Sequence, residues 1–333
     1  MAEMGKYVYG VLGSNDKRFF DSNEPAYTIP YKDISALVAD SEIIDFSHTF
    51  RDTLAKQLVK HQRVIEGVMS EYPIIPMRLG FFASDEDEVM EILAHGYNML
   101  KEIFGKVRDT IETDVVALWN DLGSVLKEIG EEKEIKEIKE RLLVSGQKIT
   151  LEDQMRIGYM VKEILDEKRK AYASQIQSAL EALSYGSKAH ELMDDSMVLN
   201  MAFLVSKCNQ ANFETKVDEL NDGLSDRLHF KYISPLPPYS FYTLEVKKIC
   251  HEEIEQAKNI LGLDDISSRE KIKKAYQKSA FLSHPDRNPD NPSIEKEFNN
   301  ITKAYKTLVE YCVACEQAGG GISGNTLLVK VKE

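Results

Sequence analysis

Lys273-Lys274-Ala275-Tyr276-Gln277-Lys278, then His284-Pro285-Asp286-Arg287-Asn288-Pro289, then Phe298, Ile301, Ala304-Tyr305 and Leu308: this stretch decides how the C-terminal part of the chain is built. Ile272, Ala275, Tyr276 and Ala280 recur at helical steps and predict the buried side of a helix. Lys271, Lys273, Lys274 and Lys278 fall on its other side. Ser267 with Glu270 reads as a capping box that starts this helix. Pro285 cannot continue a helix, so the segment ends at His284 and a polar loop runs to Pro292. Ile294, Phe298, Ile301, Tyr305 and Leu308 follow at alternating four- and three-residue spacing, one seam facing the preceding helix in an antiparallel pair. An earlier helix ends at Leu261-Gly262, which makes residues 251–316 an all-α module of three helices.

Residues 1–120 alternate strand and helix patterns. Tyr7 to Leu12 and Ile34 to Ile43 read as strands. Thr53 to Tyr72 is helical, with Leu54, Leu58, His61, Ile65, Val68 and Met69 at helical steps. Ile74 to Phe82 is extended. Ser84 is positioned to cap a helix running towards Val107, with Asp85, Glu86 and Asp87 favourable in its first turn. Val115 to Trp119 is a further short strand. Residues 121–184 form a helical hairpin broken at Ser145-Gly146, its second helix carrying Val161, Leu165, Tyr172, Ile176, Leu180 and Leu183. Residues 185–247 return to strand, helix, strand, with Pro235 to Pro238 as a rigid strand exit and Tyr239 to Val246 as a last strand. The expected fold is α+β: two small ferredoxin-like units joined by the hairpin, then the helical module. In residues 317–333, Gly319-Gly320-Gly321 reads as a linker, and Thr326 to Val331 as an apolar tail suited to add a strand to a sheet.

The chain has 333 residues, 43% hydrophobic and 29% charged, which is a globular balance. Its net charge of -13 repels phosphate backbones and anionic bilayers, which argues against a nucleic-acid or lipid-membrane partner. Met1 to Lys6 has no cationic stretch before an apolar one, so no secretory signal is expected. The four cysteines fit a reducing compartment, and cytosol is the expectation. Cys312 and Cys315 have metal-like spacing but form one pair, where a structural zinc needs four ligands. No phosphate loop, metalloprotease helix or activated nucleophile is present, so no cofactor and no enzymatic activity are expected. His61 reads as a packed histidine. Arg78, in an extended run, is a candidate partner contact, with an internal ion pair as the plainer reading.

The helical module resembles the J-domain of the DnaJ family through Ile260-Leu261-Gly262, Lys273 to Tyr276, His284 to Pro289, Phe298, Ile301, Ala304-Tyr305 and Leu308. The resemblance implies docking on a DnaK-type chaperone ATPase through His284, Pro285, Asp286, Lys273, Lys274 and Lys278. Gln277 and Leu282-Ser283 depart from the family pattern, which has basic and aromatic residues there. Residues 6–246 resemble the GvpL/GvpF family of gas vesicle proteins. Three stretches carry this: Tyr7 to Val11 with Ile34 to Val38; His61 to Glu66 with Ile75 to Gly80; and Val198 to Val205 with Tyr232 to Tyr239. It implies an accessory protein of gas vesicle assembly that contacts the small hydrophobic shell protein and other gas vesicle proteins. Two other expectations compete: a general J-domain co-chaperone with an unrelated client, and a minor structural component of the shell.

Overall fold

Strand β1 (Met4–Leu12) is the axis of the first sheet, and its neighbours follow from the chain order. The computed structural model describes residues 3–20, 24–46, 50–144, 150–266, 268–287, 293–319 and 326–332. After β1 come β2 (Phe19–Phe20), β3 (Ala26–Tyr31), β4 (Ile34–Glu42), α1 (Arg51–Met69), β5 (Ile74–Pro76), β6 (Phe82–Ala83) and α2 (Glu86–Val107). The sheet runs β2-β3-β4-β1-β5, with β6 also pairing to β1, and every pairing is antiparallel. A register shift between Val8 and Gly10 lets Val8 and Val11 enter one core, where Ile29, Ile34, Val89, Leu93 and Leu100 meet them. Asp85, rather than Ser84, is the cap of α2: its carboxylate accepts from Glu88 N–H at 2.9 Å. Ser84 instead donates its hydroxyl and its backbone N–H to the Glu88 carboxylate, each at 2.7 Å. Both residue types cap helices, and only the path of the chain selects between them.

The chain divides into two compact units, Met1–Arg108 with Tyr242–Glu333, and Asp109–Phe241. The second holds β7 (Thr110–Trp119), α3 (Leu122–Gly130), α4 (Lys133–Val144), α5 (Leu151–Glu181), β8 (Gly186–Ala189), β9 (Met197–Ser206), α6 (Gln210–Gly223) and β10 (Leu228–Leu236). Its strand order is β10-β7-β9-β8, antiparallel throughout, which is the ferredoxin-like arrangement. The segment Val115 to Trp119, read from sequence with the first domain, is therefore the first strand of the second. Odd-numbered residues of β7 and β9 face the helices: Trp119 meets Tyr172 of α5, and Phe203 meets Phe213 of α6. Pro235 lies in the edge strand β10, where the register to β7 shifts. The break at Ser145-Gly146 lies outside the described residues.

On the other face of β7, Glu112 is buried. It accepts from the backbone N–H of Ser240 at 2.8 Å and from its hydroxyl at 2.7 Å. Burial pushes its carboxyl well above the ordinary carboxylate range. Burial also raises the carboxyl of Asp114, its neighbour on the same strand.

The first unit resumes with β11 (Thr243–Ile249), α7 (His251–Leu261), α8 (Arg269–Leu282), α9 (Ile294–Gln317) and β12 (Thr326–Lys332). The strand read over Tyr239 to Val246 thus starts at Thr243, and it belongs to this unit rather than to the second. Gly262 caps α7 in the left-handed conformation that glycine adopts without strain. The apolar tail forms β12, paired antiparallel with β11 from Thr326–Ile249 to Lys332–Thr243. β11 touches the first sheet through a parallel bridge between Met77 and Leu244.

Candidate functional site

The site is the turn between α8 and α9 together with the outer side of α8. Ser268 caps α8, its hydroxyl accepting from Lys271 N–H at 3.3 Å; Ser267 lies outside the described residues. Ile272 is fully buried against α7 and α9, and Tyr276 stacks on Tyr305 with ring centres 4.4 Å apart. That packing turns Lys273, Lys274, Gln277 and Lys278 to solvent. Lys271 pairs with Asp265 at 3.5 Å, while none of Lys273, Lys274 or Lys278 has an ion-pair partner among the described residues. They leave a cationic helix face on an acidic protein.

α8 stops at Ser283, whose N–H still donates to Ser279 carbonyl at 3.0 Å. Pro285 to Arg287 then make one 3-10 turn. His284 Nδ1 accepts from Asp286 N–H at 3.2 Å, and its ring meets Phe298 of α9 edge-on at 5.5 Å. One side of the imidazole is thereby fixed, while the side chain stays 45% exposed and that of Asp286 89% exposed. The loop is held and presented at once. Asn288 and Pro289, also part of the motif, lie outside the described residues.

Two contacts here were not read from the sequence. Arg287 stacks its guanidinium over the Phe281 ring at 3.6 Å, bracing the turn from outside. Ser283 donates to Glu297 Oε1 on α9 at 2.6 Å. The signal for the second was the departure from family pattern itself: a serine in place of an aromatic residue needs a polar partner once buried.

A second feature lies in the α+β part of the same unit. Tyr7, Tyr9, Tyr27, Phe46 and Phe82 line a cleft of about 280 Å³ whose floor includes His61. His61 is buried, its Nε2 donating to Met77 carbonyl at 3.0 Å while its Nδ1 accepts from the Tyr7 hydroxyl at 2.8 Å. It is a packed histidine, and burial lowers its pKa to about 4. The α1 stripe that sets His61 in place continues outward uncovered: Leu54 and Leu58 are exposed, and Phe50 just before the helix is 85% exposed. Phe19 and Ile44, which line the cleft, and Ile43 are exposed as well. Arg78 pairs with Glu245 at 3.1 Å, the internal ion pair that its position suggested. Cys312 and Cys315 are free, half-buried residues of α9. No helix among the described residues is long and apolar enough to cross a membrane.

Comparison with known proteins agrees with this division. Residues 5–243 match the family described as gas vesicle synthesis protein GvpL/GvpF, and residues 259–311 match the DnaJ domain. Gas vesicle protein F of a Nostoc species is 23% identical over 249 residues, spanning 71% of this chain and 97% of that protein. Gas vesicle protein F2 of Halobacterium salinarum is 21% identical over 254 residues, spanning 74% and 95%. The chaperone protein DnaJ of Salinibacter ruber is 50% identical over 50 residues, 15% of this chain and 13% of that protein. The crystal structure of the gas vesicle protein GvpF from an Anabaena species shares the fold, with a TM-score of 0.60 at 20% identity, covering 71% of this chain and 97% of that one. The chain belongs to the GvpL/GvpF family of gas vesicle synthesis proteins, and a DnaJ-like module follows its family region.

Proposed function

We propose that this protein is a non-enzymatic gas vesicle assembly factor of the cytosol. In this reading it holds the small hydrophobic shell protein and recruits a DnaK-type ATPase to it. The observation that carries the reading is the braced, outward-facing loop of His284, Pro285 and Asp286 beside the exposed Lys273, Lys274 and Lys278, in one chain with a gas vesicle family fold. A rigid loop lowers the ordering cost of docking, and the cationic face steers and orients an acidic partner. The uncovered apolar surface around Phe50, Leu54 and Leu58 supports the client half, because a subunit with a large apolar patch aggregates unless covered before assembly.

The test is to isolate the full chain from gas-vesicle-forming cells and identify what accompanies it. Both the shell protein and a DnaK-type ATPase are expected; recovery of neither contradicts the reading. In a purified ATPase assay, His284→Gln is expected to lose stimulation that the unaltered chain gives, and equal stimulation by the two rejects the chaperone half.

A further inference from the structure

The ribbon of β11 and β12 has two apolar faces, and each belongs to a different core. Leu327 and Val329 of β12 are buried with Leu244 of β11 in the α+β core of β1, β4 and α2. Leu328 of β12 and Ile249 of β11 are buried instead among the DnaJ-like helices. Alternation along a strand produces this division directly. The charged contacts follow the same division. Lys248 reaches Glu88 of α2 at 2.6 Å, while Lys247 and Lys330 both reach Glu310 of α9, at 2.5 and 3.3 Å.

β12 is also gripped through its backbone. Gln317, the last residue of α9, donates to Val329 carbonyl at 2.6 Å and accepts from Val329 N–H at 3.1 Å. His95 of α2 contacts the Leu327 carbonyl at 3.2 Å. Gly96 of α2 leaves room for the strand: a Cβ there would sit 2.9 Å from Val329 Cγ1. The family match ends at residue 243, where β11 begins, so the ribbon and the helices between its strands all lie beyond it.

We propose that β12 is a clasp that makes the DnaJ-like helices and the α+β region a single cooperative body. The docking loop then sits at a fixed bearing on the first sheet instead of swinging on a tether. That consequence for the loop rests on the function proposed above; the shared folding does not.

Hydrogen exchange of the full chain, read by mass spectrometry, tests this. Gly96→Val pushes on Val329 of β12 from the α+β side, and on Leu100 of its own helix. It is expected to speed exchange in α7 and α9 by about tenfold or more, while β7 to β10 keep their rates. Acceleration confined to α2 and β12 overturns the proposal. Gln317→Ala removes both hydrogen bonds to Val329 without adding bulk, and covers the case in which Gly96→Val does not fold. It is expected to speed exchange in α2, across the strand, and unchanged α2 rates overturn the proposal equally. Loss of ATPase stimulation with the exchange coupling intact would fault only the docking function.

Discussion

Ser283 and Glu297 tie the end of α8 to the first turn of α9, the serine hydroxyl donating to the carboxylate at 2.6 Å from a buried position. Just beyond Ser283 the chain turns into the His284 loop, so this bond sets where the loop begins. Ser283→Ala leaves Glu297 unpaired and is expected to cost about 1 kcal/mol of stability. It is also expected to weaken ATPase stimulation several-fold with His284 intact. Denaturant melts with the ATPase assay check this, and an unaltered midpoint contradicts it.

The cationic face makes a separate prediction. Lys273, Lys274 and Lys278 are exposed and without an ion-pair partner among the described residues, so reversing them to glutamate leaves the fold unchanged. Association with the DnaK-type partner is expected to fall by about tenfold or more at low salt. The salt dependence itself is expected to flatten, since exposed charges are screened beyond roughly 10 Å at 0.1 M ionic strength. Binding measured across ionic strength decides it.

Leu54→Asp with Leu58→Asp tests the apolar surface beside the cleft. Both leucines are exposed, so the thermal midpoint is expected to stay close to that of the parent chain. Recovery of the shell protein with the variant is expected to drop sharply while the ATPase is retained.

His61 gives the first unit a pH dependence of known sign. Its folded pKa is depressed to about 4, below the ordinary histidine value of roughly 6.5, so the unfolded chain takes up the proton first. The stability is fully present above pH ~6.5 and is lost as pH falls towards 4, in total on the order of 3 kcal/mol. His61→Phe cannot protonate; it is expected to be less stable at pH 7 and to show a flatter slope between those limits. Exchange protection of α1 against pH reports it, and equal slopes in both proteins refute it.

Glu112 gives the second unit the opposite slope. Its carboxyl is held protonated by burial, with a folded pKa above the unfolded one. Stability is complete below the ordinary carboxylate pKa and declines as pH rises through the raised folded value. Glu112→Gln keeps a carbonyl to accept from Ser240 and removes the titration. It is expected to make β7 to β10 more protected than in the parent chain at alkaline pH.

What was legible in the sequence is what depends on near neighbours. The α8 and α9 seam and the proline stop both depend on residues close in sequence, and each stands in the structure. The pairing of β7 was not legible, because Val115 to Trp119 carries no mark of which sheet receives it; its partners are 79 to 117 residues away in β9 and β10. β3 escaped notice because Ala26 to Tyr31 is short and contains Pro30, which a strand tolerates only where a lost donor is harmless. On α1, periodicity identified an apolar stripe but not whether anything covers it, and Leu54 and Leu58 are open. At the loop, the lysines and His284 stood in the motif, whereas Ser283 with Glu297 and Phe281 with Arg287 required the fold.

The alternation along β12 also governs how that strand finds its place. Sliding it one residue against β11 would turn Lys330 into the core that now holds Val329 and take it away from Glu310. The same slip would carry Leu327 and Val329 out of the α+β core and Leu328 out of the helical one. A ribbon with one solvated face resists misregistration from one side only. Here two cores read the same seven residues independently, so the strand is proofread twice each time it closes.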